Sequence, residues 1–572
     1  YWEGSYFASE GFELIDQSIF NVNLFGGASS PLVIPSNYAQ LSSQAAQTLA
    51  SLGQTSFRLS RASRDLVNNN AKGDNDTMRG VLGVTGEFEF LADTWRWDVS
   101  ANYGRNEGVF TQNVLNQQNF VNSLHVVRDA SGRLVCSPTP VPGLFIPNNA
   151  GANATPVADP NCVPLDIFGE GRASAAARAY VTGRTRTETT LEQTVFNANV
   201  GGGLFEIYSG VIPINIGVEY REESGDFNPD AFQRAGLGRA VPIIPLSGEF
   251  DTKEAFAETV IPLVEPDTIP LLRQLDVTAK FRKVDNSVNG SFDAWTYGLQ
   301  WRPFDDLLLR ANTTRSFRAP AITELFTPTS SIFTTVPDPC DSRNVTGGTR
   351  PAVRQANCAA FFRQFNLNPA NFQSTAVTAT VQGTSSGDPN LENERGDSWT
   401  AGFVYTPEYI DGFRLMADYY EIEVSNSIAN LSATAIATGC FDNTNFNTTD
   451  VTRANSFCER IERRADGQIN SVRTGFVNGG ILNFKGASAE AEYRRSLEDL
   501  GVSLPGSLSA SVNAFRLMRL ESSANNVVIN RDDGEIGNSH RQMQIGLGYD
   551  HPSWGNFLGF AQQLHLAGFG FG

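Results

Sequence analysis

Hydrophobic and polar residues alternate with a period of two along several stretches of this chain. In the stretch 294–301, every second residue is aromatic or leucine, and the others are small or polar. The same alternation occurs in the stretches 95–104, 275–282, 399–405 and 543–549. Such a period predicts β-strands with one apolar and one polar face, because successive side chains point to opposite sides of a sheet. Strands of about ten residues cross a bilayer when tilted.

The alternation predicts fourteen strands, which begin near residues 81, 95, 191, 211, 253, 273, 291, 306, 397, 412, 479, 507, 541 and 556. Short and long links alternate between them. The long links are 108–190, 223–252, 318–396, 425–478 and 521–540, and 286–290 is a short member of that series. Alternate links of a meander lie at opposite edges, so every long loop falls on one side. That asymmetry is typical of outer-membrane barrels, and a soluble sandwich or propeller has no reason for it.

The sequence therefore predicts an all-β protein, a transmembrane antiparallel up-and-down β-barrel with long external loops and short periplasmic turns. Three local features add detail. The Ala-rich segment 40–52 predicts a short helix in an external loop. Gly201-Gly202-Gly203 joins two strands and is interpreted as a turn, not a phosphate-binding loop. A slip in the alternation at Tyr419-Tyr420 predicts a β-bulge.

The amino-acid composition excludes some classes of function. The 572 residues carry only 18% charged side chains but 52 Gly and 39 Phe. This composition suits short strands with aromatic belts. The net charge of −18 argues against a nucleic-acid partner, because phosphate binding needs a basic face. No run approaches the ~20 apolar residues of a membrane-spanning helix.

The six cysteines form three neighbouring pairs, and each pair falls inside a long loop. We expect the disulfides Cys136–Cys162, Cys340–Cys358 and Cys440–Cys458, which require an oxidising compartment. Unpaired buried thiols are the alternative. No pair has the spacing of a zinc site.

Few residues in the sequence indicate a metal site or a catalytic site. The four histidines are not paired at metal-binding spacing, so we expect no metal and no cofactor. Ser123 lies two residues from His125, but no Asp completes a hydrolase pattern, and we expect no enzymatic activity.

Two sets of side chains allow two interpretations each. Charges on the polar strand faces could contact a solute, a plug domain, or each other across strands, and we favour the structural roles. These are Arg79, Glu87, Glu89, Lys280, Arg282, Glu490, Glu492 and Arg494. Loop aromatics could stack on a ligand or form small loop cores. These are Phe333, Phe361, Phe362, Phe365 and Phe372.

A resemblance to a known family is carried by five segments: 162–169, 315–326, 387–394, 418–422 and 534–538. Residues 315–326, which read RSFRAPAITELF, resemble the "FRAP…ELF" signature of TonB-dependent outer-membrane receptors of Gram-negative bacteria. Residues 387–394, which read GDPNLENE, resemble the segment that opens the next strand in that family, with Asp388 and Asn393 where Asn and Pro are usual. The matching motif residues are Arg315, Phe317, Arg318, Ala319, Pro320, Glu324, Leu325, Phe326, Gly387, Pro389, Leu391 and Glu394.

The resemblance implies a barrel of twenty-two strands filled by an N-terminal plug domain that carries the TonB box. Neither plug nor TonB box is recognisable here, so we expect a partial barrel domain over residues 1–572. It would have about fourteen of the twenty-two strands, with residues 1–80 mostly in an external loop. Residues 566–572 do not resemble the family's final strand. We expect the shortened sheet to form an open wall.

The implied function is receptor and transporter: the external loops bind a scarce nutrient for energised uptake into the periplasm. Relatives carry siderophores, cobalamin, oligosaccharides or peptides, and this sequence does not choose among them. The implied partners are outer-membrane lipid and, through a plug, the TonB–ExbB–ExbD system, for a monomer in the outer membrane. A fragment of this kind would not transport alone. A passive porin and a surface-binding barrel are the alternatives.

Overall fold

The computed structural model describes residues 1–13, 19–20, 32–62, 65–67, 70–91, 93–146, 153–238, 242–265, 268–552 and 555–566. Strands dominate these ranges. In chain order the first are β1 (Trp2–Glu13), β2 (Ile19–Phe20), β3 (Leu32–Pro35), β4 (Ser56–Leu59), β5 (Arg61–Ala62), β6 (Ala71–Phe90), β7 (Asp93–Leu115), β8 (Val126–Arg128), β9 (Leu134–Cys136), β10 (Thr182–Ile207), β11 (Gly210–Pro229), β12 (Leu246–Pro262) and β13 (Gln274–Asn286). The others are β14 (Gly290–Phe304), β15 (Leu307–Arg318), β16 (Ser330–Thr334), β17 (Val381–Ser385), β18 (Glu394–Tyr405), β19 (Phe413–Leu431), β20 (Ile461–Arg463), β21 (Ile469–Arg473), β22 (Gly475–Ser496), β23 (Ser507–Ser523), β24 (Asn530–Arg531), β25 (Arg541–His551) and β26 (Gly555–Leu566).

Short helices interrupt the loops. They are α1 (Ser43–Ser51), α2 (Gln117–Leu124), α3 (Ala175–Val181), α4 (Ala231–Arg234), α5 (Ile322–Phe326), α6 (Pro351–Gln364) and α7 (Ala433–Phe441). The first confirms the helix predicted within 40–52, and the hydroxyl of Ser42 caps it by accepting from the Ala45 amide. Within the described ranges, none of the helices has both the length and the apolar composition needed to cross a bilayer.

One large antiparallel sheet follows the chain as a meander. Its order is β1-β6-β7-β10-β11-β12-β13-β14-β15-β18-β19-β22-β23-β25-β26, and β24 pairs with β23. All fourteen predicted strands belong to it. In the described residues no pairing joins β1 to β26, so the sheet is an open wall, as expected.

The start of the chain corrects one expectation. Residues 2–13 form strand β1, which pairs along its whole length with β6, whereas the sequence predicted an external loop there. Its alternation is hard to detect, because Gly4 occupies an apolar-face position and Phe7 a polar-face position. Residues 567–572, the other terminal segment discussed above, lie outside the described residues.

The connections confirm the predicted segregation of loop length. The connections 91–92, 208–209, 263–273, 305–306, 406–412, 497–506 and 552–554 lie at one edge of the sheet, the short-turn end. The connections 14–70, 116–181, 230–245, 287–289, 319–393, 432–474 and 524–540 lie at the other edge, the long-loop end. All seven helices described above belong to the long-loop end.

Register places the large apolar side chains on one face of the sheet. Tyr297 pairs with Ala279 and Thr313, and Leu299 pairs with Val277 and Ala311. We call this the apolar face, and the opposite one the polar face. Tyr297 is 52% exposed and Leu299 42% exposed, which is untenable over so wide a surface in water but suits lipid contact.

The triple glycine is not a turn. Gly201-Gly202-Gly203 lies inside β10, and the turn comes later, at residues 208–209. A Cβ on Gly202 would lie 2.5 Å from the ring of Trp95, and the Gly203 amide donates to the Asp93 carboxylate. The glycines therefore admit neighbouring side chains within a regular strand.

The bulge in β19 also lies elsewhere than predicted. Pairing with β22 is regular through Tyr419 and Tyr420 and shifts between Val424 and Ile428. Asn426, within the shift, has a φ of 59°, a left-handed conformation that Asn tolerates better than most residues. Its side chain donates to the backbone oxygen of Asn393 at 3.2 Å, so the bulge ties β19 to the segment before β18.

The packed cores of the molecule lie in the loops. Loop cluster A consists of the buried residues within 32–67 and 115–181, and loop cluster B of those within 336–376 and 431–472. Cluster B includes a small sheet with strand order β16-β17-β21-β20. Both clusters lie at the long-loop end.

Candidate functional site at the long-loop end

The three predicted disulfides are present and hold the loop clusters. Cys136–Cys162 closes a loop beside cluster A, with Cα atoms 6.2 Å apart. Cys340–Cys358 and Cys440–Cys458 lie inside cluster B, with Cα separations of 5.3 and 4.8 Å. All three distances suit unstrained bridging. The disulfides constrain long loops where pairing with the main sheet does not.

Loop cluster B contains two buried ion pairs. Arg354 of α6 binds Asp442, just after α7, through two contacts of 2.6 Å, and both side chains are less than 9% exposed. Arg463 binds Asp338 at 2.8 and 2.9 Å, and its guanidinium lies 4.5 Å from the ring centre of Phe361. Each pair joins segments remote in sequence, so the ion pairs fix how the loops pack.

The loop aromatics of cluster B mostly form its core. Phe361, Phe362 and Phe372 are buried, and Phe365 packs against them. Phe333, in contrast, is 42% exposed. The loop-core interpretation is therefore confirmed for four of the five rings, and only Phe333 remains available to a ligand.

Asp341 anchors the same cluster. Its carboxylate accepts from the guanidinium of Arg343 at 2.7 Å and from the amide of Ser374 at 2.7 Å. The ion pair with Arg343 and these backbone donors lower the pKa of Asp341 to about 2. The carboxylate therefore stays ionised at any physiological pH.

Loop cluster A combines hydrogen bonds of neutral groups with one ion pair, Arg61–Asp65, whose side chains are 9% and 11% exposed. The Tyr38 hydroxyl donates to the backbone oxygen of Leu124 at 2.5 Å, and burial raises its pKa well above the ordinary value. Burial and the hydrogen bond to Asp159 raise the pKa of Tyr180 to about 12, against the effect of Asn122. His125 is fully buried, and burial lowers its pKa.

The suggested Ser–His contact does not form. The hydroxyl of Ser123 donates to the backbone oxygen of Phe120, and Nδ1 of His125 accepts from the amide of Val141 at 3.0 Å. Both groups are occupied in holding the loop. In the described part of the chain, no three His, Cys, Asp or Glu side chains converge as metal ligands.

The family motifs fold into one structural unit at the base of the loops. Arg318, on the polar face, binds Glu394 of the next strand and reaches Glu324 at 3.0 and 3.1 Å. Glu324 also accepts from the amide of Ala321, at the start of α5. Glu394 accepts from the amide of Ile428 in the bulge of β19.

Gly387 completes this unit. Its amide donates to the backbone oxygen of Thr327 at 2.7 Å, and a Cβ at this position would lie 2.7 Å from the backbone oxygen of Glu324. Only glycine permits that approach. Leu325 and Leu391 are buried nearby, whereas Arg315 and Phe317 occupy apolar-face positions of β15 and lie outside the unit. The motifs thus fasten the long loop 319–393 at both ends.

Five of the eight predicted polar-face charges form ion pairs with charged residues of other strands. The pairs are Arg79–Glu3, Arg96–Glu87, Lys280–Glu258, Arg282–Glu254 and Arg494–Asp550, with distances of 2.6 to 3.2 Å. Glu89 instead accepts from the Thr94 hydroxyl. Among the described residues Glu490 and Glu492 make no ion pair. The structural interpretation is therefore confirmed for the paired charges.

A recess of about 350 Å³ opens on the polar face at the long-loop end. Its apolar side chains come from β7, β11 and the α4 loop, and include Phe110, Phe227 and Phe232. Threonines of β10 form one wall, and Thr187 donates to Oε1 of Gln233 at 2.9 Å. The sequence alone did not predict this recess. Its available signal is that Phe110 and Phe227 both occupy polar-face positions.

Two arginines of cluster B lie close together. Arg460 and Arg473 flank the pairing of β20 with β21, and the guanidinium of Arg473 donates to the backbone oxygen of Glu459. Burial and the charge of Arg473 lower the pKa of Arg460, and Asp388 opposes them. Neither guanidinium has a carboxylate within ion-pair distance among the described residues. This spot would favour an anionic group.

The fold and the loop geometry agree with a comparison of family profiles. The profile described as "TonB dependent receptor-like, beta-barrel" matches residues 18–570. This chain belongs to that family, whose members are outer-membrane proteins of Gram-negative bacteria. The long-loop end is therefore the external end, and the polar face lines the lumen.

Solved structures with a similar fold share little sequence. A ferric enterobactin receptor mutant from Pseudomonas aeruginosa, solved with enterobactin, is 12% identical with a TM-score of 0.38, covering 84% of this chain and 56% of its own. The siderophore receptor PirA from Acinetobacter baumannii is 10% identical with a TM-score of 0.38, covering 85% of this chain and 62% of its own. The RagAB peptide importer is 9% identical with a TM-score of 0.38, covering 82% and 37%. Among curated proteins, none matches this chain.

Proposed function

We propose that this chain is the barrel portion of a TonB-dependent receptor that binds a scarce nutrient at its external loops for energised uptake into the periplasm. One observation carries the proposal. All the long connections of a wide meander lie at one end, where disulfides and buried ion pairs fold them into two packed clusters. A passive pore has no need of such organised loops.

We further propose that the recess on the polar face at the long-loop end contacts the nutrient. Three phenylalanine rings and nearby hydroxyl and amide groups suit a ligand with a flat apolar face and a polar edge. Ferric siderophores, cobalamin, oligosaccharides and peptides are the candidate classes. Arg460 and Arg473 favour an anionic member of these classes, because they interact with each other at the same end and, among the described residues, neither forms an ion pair.

The proposed partners are the outer-membrane lipid and, through a plug domain, the TonB–ExbB–ExbD system of the inner membrane. We propose a monomer. The barrel segment would not transport alone, since the edges of β1 and β26 are not paired with each other, and an open edge cannot persist in hydrocarbon.

The test is uptake by cells that express the full-length receptor. Radiolabelled members of the four nutrient classes are supplied to cells with and without TonB. We expect one class to accumulate only with TonB, and to bind the cell surface in both strains. Equal uptake in both strains would indicate a passive porin, and binding without uptake a surface-binding protein.

A pair of variants localises the binding. Phe232→Ala removes a ring of the recess and should weaken surface binding by about tenfold, since stacked aromatic contacts contribute about 0.5–1.5 kcal/mol beyond buried area. Tyr409→Ala is the control, because Tyr409 is exposed in a connection at the short-turn end. Equal binding by both variants would exclude the recess.

A further inference from the structure

A groove on the apolar face differs from the rest of the outer wall. It has a volume of about 570 Å³, and five alanines form its floor between the larger side chains of Phe403, Tyr419 and Met543. The alanines are Ala401, Ala417, Ala487, Ala489 and Ala514. Elsewhere this face carries large side chains such as Tyr297 and Leu547. The groove crosses five neighbouring strands, from β18 to β25.

Two arginines stand at the groove. Arg516 of β23 and Arg541 of β25 are direct cross-strand partners, and both line it. Arg541 shares the apolar face with Met543 and Ile545, which lie two and four positions along the strand. Like charges placed directly opposite each other destabilise a sheet unless an anion lies between them.

The described part of the chain does not supply that anion. In the described residues no carboxylate lies within ion-pair distance of Arg516 or Arg541. Strand β26, which pairs with the other side of β25, contains no Asp or Glu. The neighbouring cations are compensated, because Lys485 binds Glu421 and Arg519 lies 3.7 Å from Glu521. Arg516 and Arg541 therefore differ from the neighbouring cations, which each have a carboxylate partner.

The arginines also lie at the external edge of the apolar band. Arg541 is the first residue of β25 at the long-loop end, and the apolar residues of the same face follow it down to Tyr549. Eight residues span about 27 Å along a strand, and at a tilt of about 35–45° they cover about 19–22 Å of an apolar band about 25 Å tall. The guanidinium groups therefore lie at the level of the outer-leaflet headgroups.

We propose that this surface binds one anionic lipid of the outer leaflet, of the lipid A type. A phosphate lies between Arg516 and Arg541, and an acyl chain lies along the alanine floor. Charge complementarity selects this occupant, because guanidinium groups bind phosphate in paired hydrogen bonds and the groove accepts only an apolar chain. The external position selects an outer-leaflet lipid over a glycerophospholipid of the inner leaflet.

The test measures lipid retained by the purified full-length receptor. Native mass spectrometry in detergent is run with added lipid A, with added phosphatidylglycerol, and with neither. We expect one lipid A per protein, and at least about tenfold weaker binding by the double variant Arg516→Gln/Arg541→Gln, because hydrogen bonds to charged groups are lost. The matched control Arg519→Gln removes a compensated cation nearby and should leave binding unchanged.

A second variant probes the groove without altering charge. Ala489→Leu fills the floor and should weaken lipid A binding while both arginines remain. Unchanged lipid A binding by either the double variant or Ala489→Leu would overturn the proposal. So would equal affinity for phosphatidylglycerol, or a second copy of the receptor occupying the groove as a dimer. None of these results bears on uptake, so the proposed receptor function is tested separately.

Discussion

The two loop clusters do the same task by different means. Cluster A is held by one disulfide, by one ion pair, Arg61–Asp65, and otherwise by neutral buried groups, among them His125 and Tyr38. Cluster B is held by two disulfides and by ion pairs withdrawn from water, such as Arg354–Asp442. Both clusters must keep long loops ordered at the external end, where no strand of the main sheet continues.

The difference has a physical consequence. A buried ion pair contributes little net stability over an apolar pair, but removal of one partner leaves a charge without solvent and is very costly. A neutral network loses less when one member is removed, but a buried histidine makes it sensitive to pH. Cluster B should therefore be indifferent to pH, whereas the buried His125 makes cluster A sensitive to it. Cluster B, which has two such ion pairs against one in cluster A, should be the less tolerant of substitution.

The largest expected effect is in cluster B. Asp442→Ala leaves the Arg354 guanidinium buried without its partner, and should lower the free energy of opening of α6 and α7 by about 3–5 kcal/mol. Hydrogen exchange of these helices, followed by mass spectrometry, measures the opening. Asp466→Ala is the control, since Asp466 pairs with Arg464 on the surface, and should change nothing measurable. Equal effects of the two substitutions would refute the role of the buried pair.

The second prediction concerns the disulfides. Replacing Cys136 and Cys162 by Ser opens a loop of 26 residues and should cost cluster A about 3 kcal/mol. Replacing Cys340 and Cys358 removes one of the two bridges of cluster B, so α7 should remain protected by the other. Exchange protection of α2 and α7 in both variants makes the comparison. If α7 lost protection in the second variant as completely as α2 does in the first, the remaining disulfide of cluster B would not be enough to hold α7.

The third prediction concerns pH. Burial lowers the pKa of His125, so the opened loop binds the proton more tightly than the folded one, and stability falls as pH drops below about 6.5. The lowered pKa of Asp341 contributes stability that persists above about 3.9 and is lost only towards pH 2. Between these limits, exchange of α2 should accelerate by up to tenfold per pH unit beyond the intrinsic rate, while α6 stays protected. His125→Gln should abolish the acceleration, and its persistence in that variant would assign it elsewhere.

The main sheet was largely predictable from sequence because its rules are local. A period of two set the strands, the parity of link lengths set the two ends, and local cysteine spacing set the disulfides. Strand β1 was missed because Gly4 and Phe7 blur its alternation. Gly201-Gly202-Gly203 was misinterpreted because what requires glycine is Trp95 and Asp93, about 110 residues away.

The contacts that pack the loop clusters were not predictable either, because they join residues that are far apart in the sequence. Arg354 and Asp442 are 88 residues apart, and Arg463 and Asp338 are 125 apart, so no local pattern joins them. The recess depends on Phe232, placed by the short helix α4 over strands from two other parts of the chain. Besides the three disulfides, the motif unit around Arg318 was indicated in advance, through the resemblance to a family.

The smallest expected effect concerns salt. At about 1 M salt the Debye length is about 3 Å, which screens exposed pairs such as Arg464–Asp466 and Arg133–Asp129 but not pairs excluded from water. Exchange protection should therefore stay unchanged in both clusters, because the Arg61–Asp65 pair of cluster A and the ion pairs of cluster B are largely excluded from water. The measurement is the same exchange experiment at low and high salt. Selective loosening of cluster B would show that surface charges hold it, and the contrast between the clusters would then rest on exposed rather than buried ions.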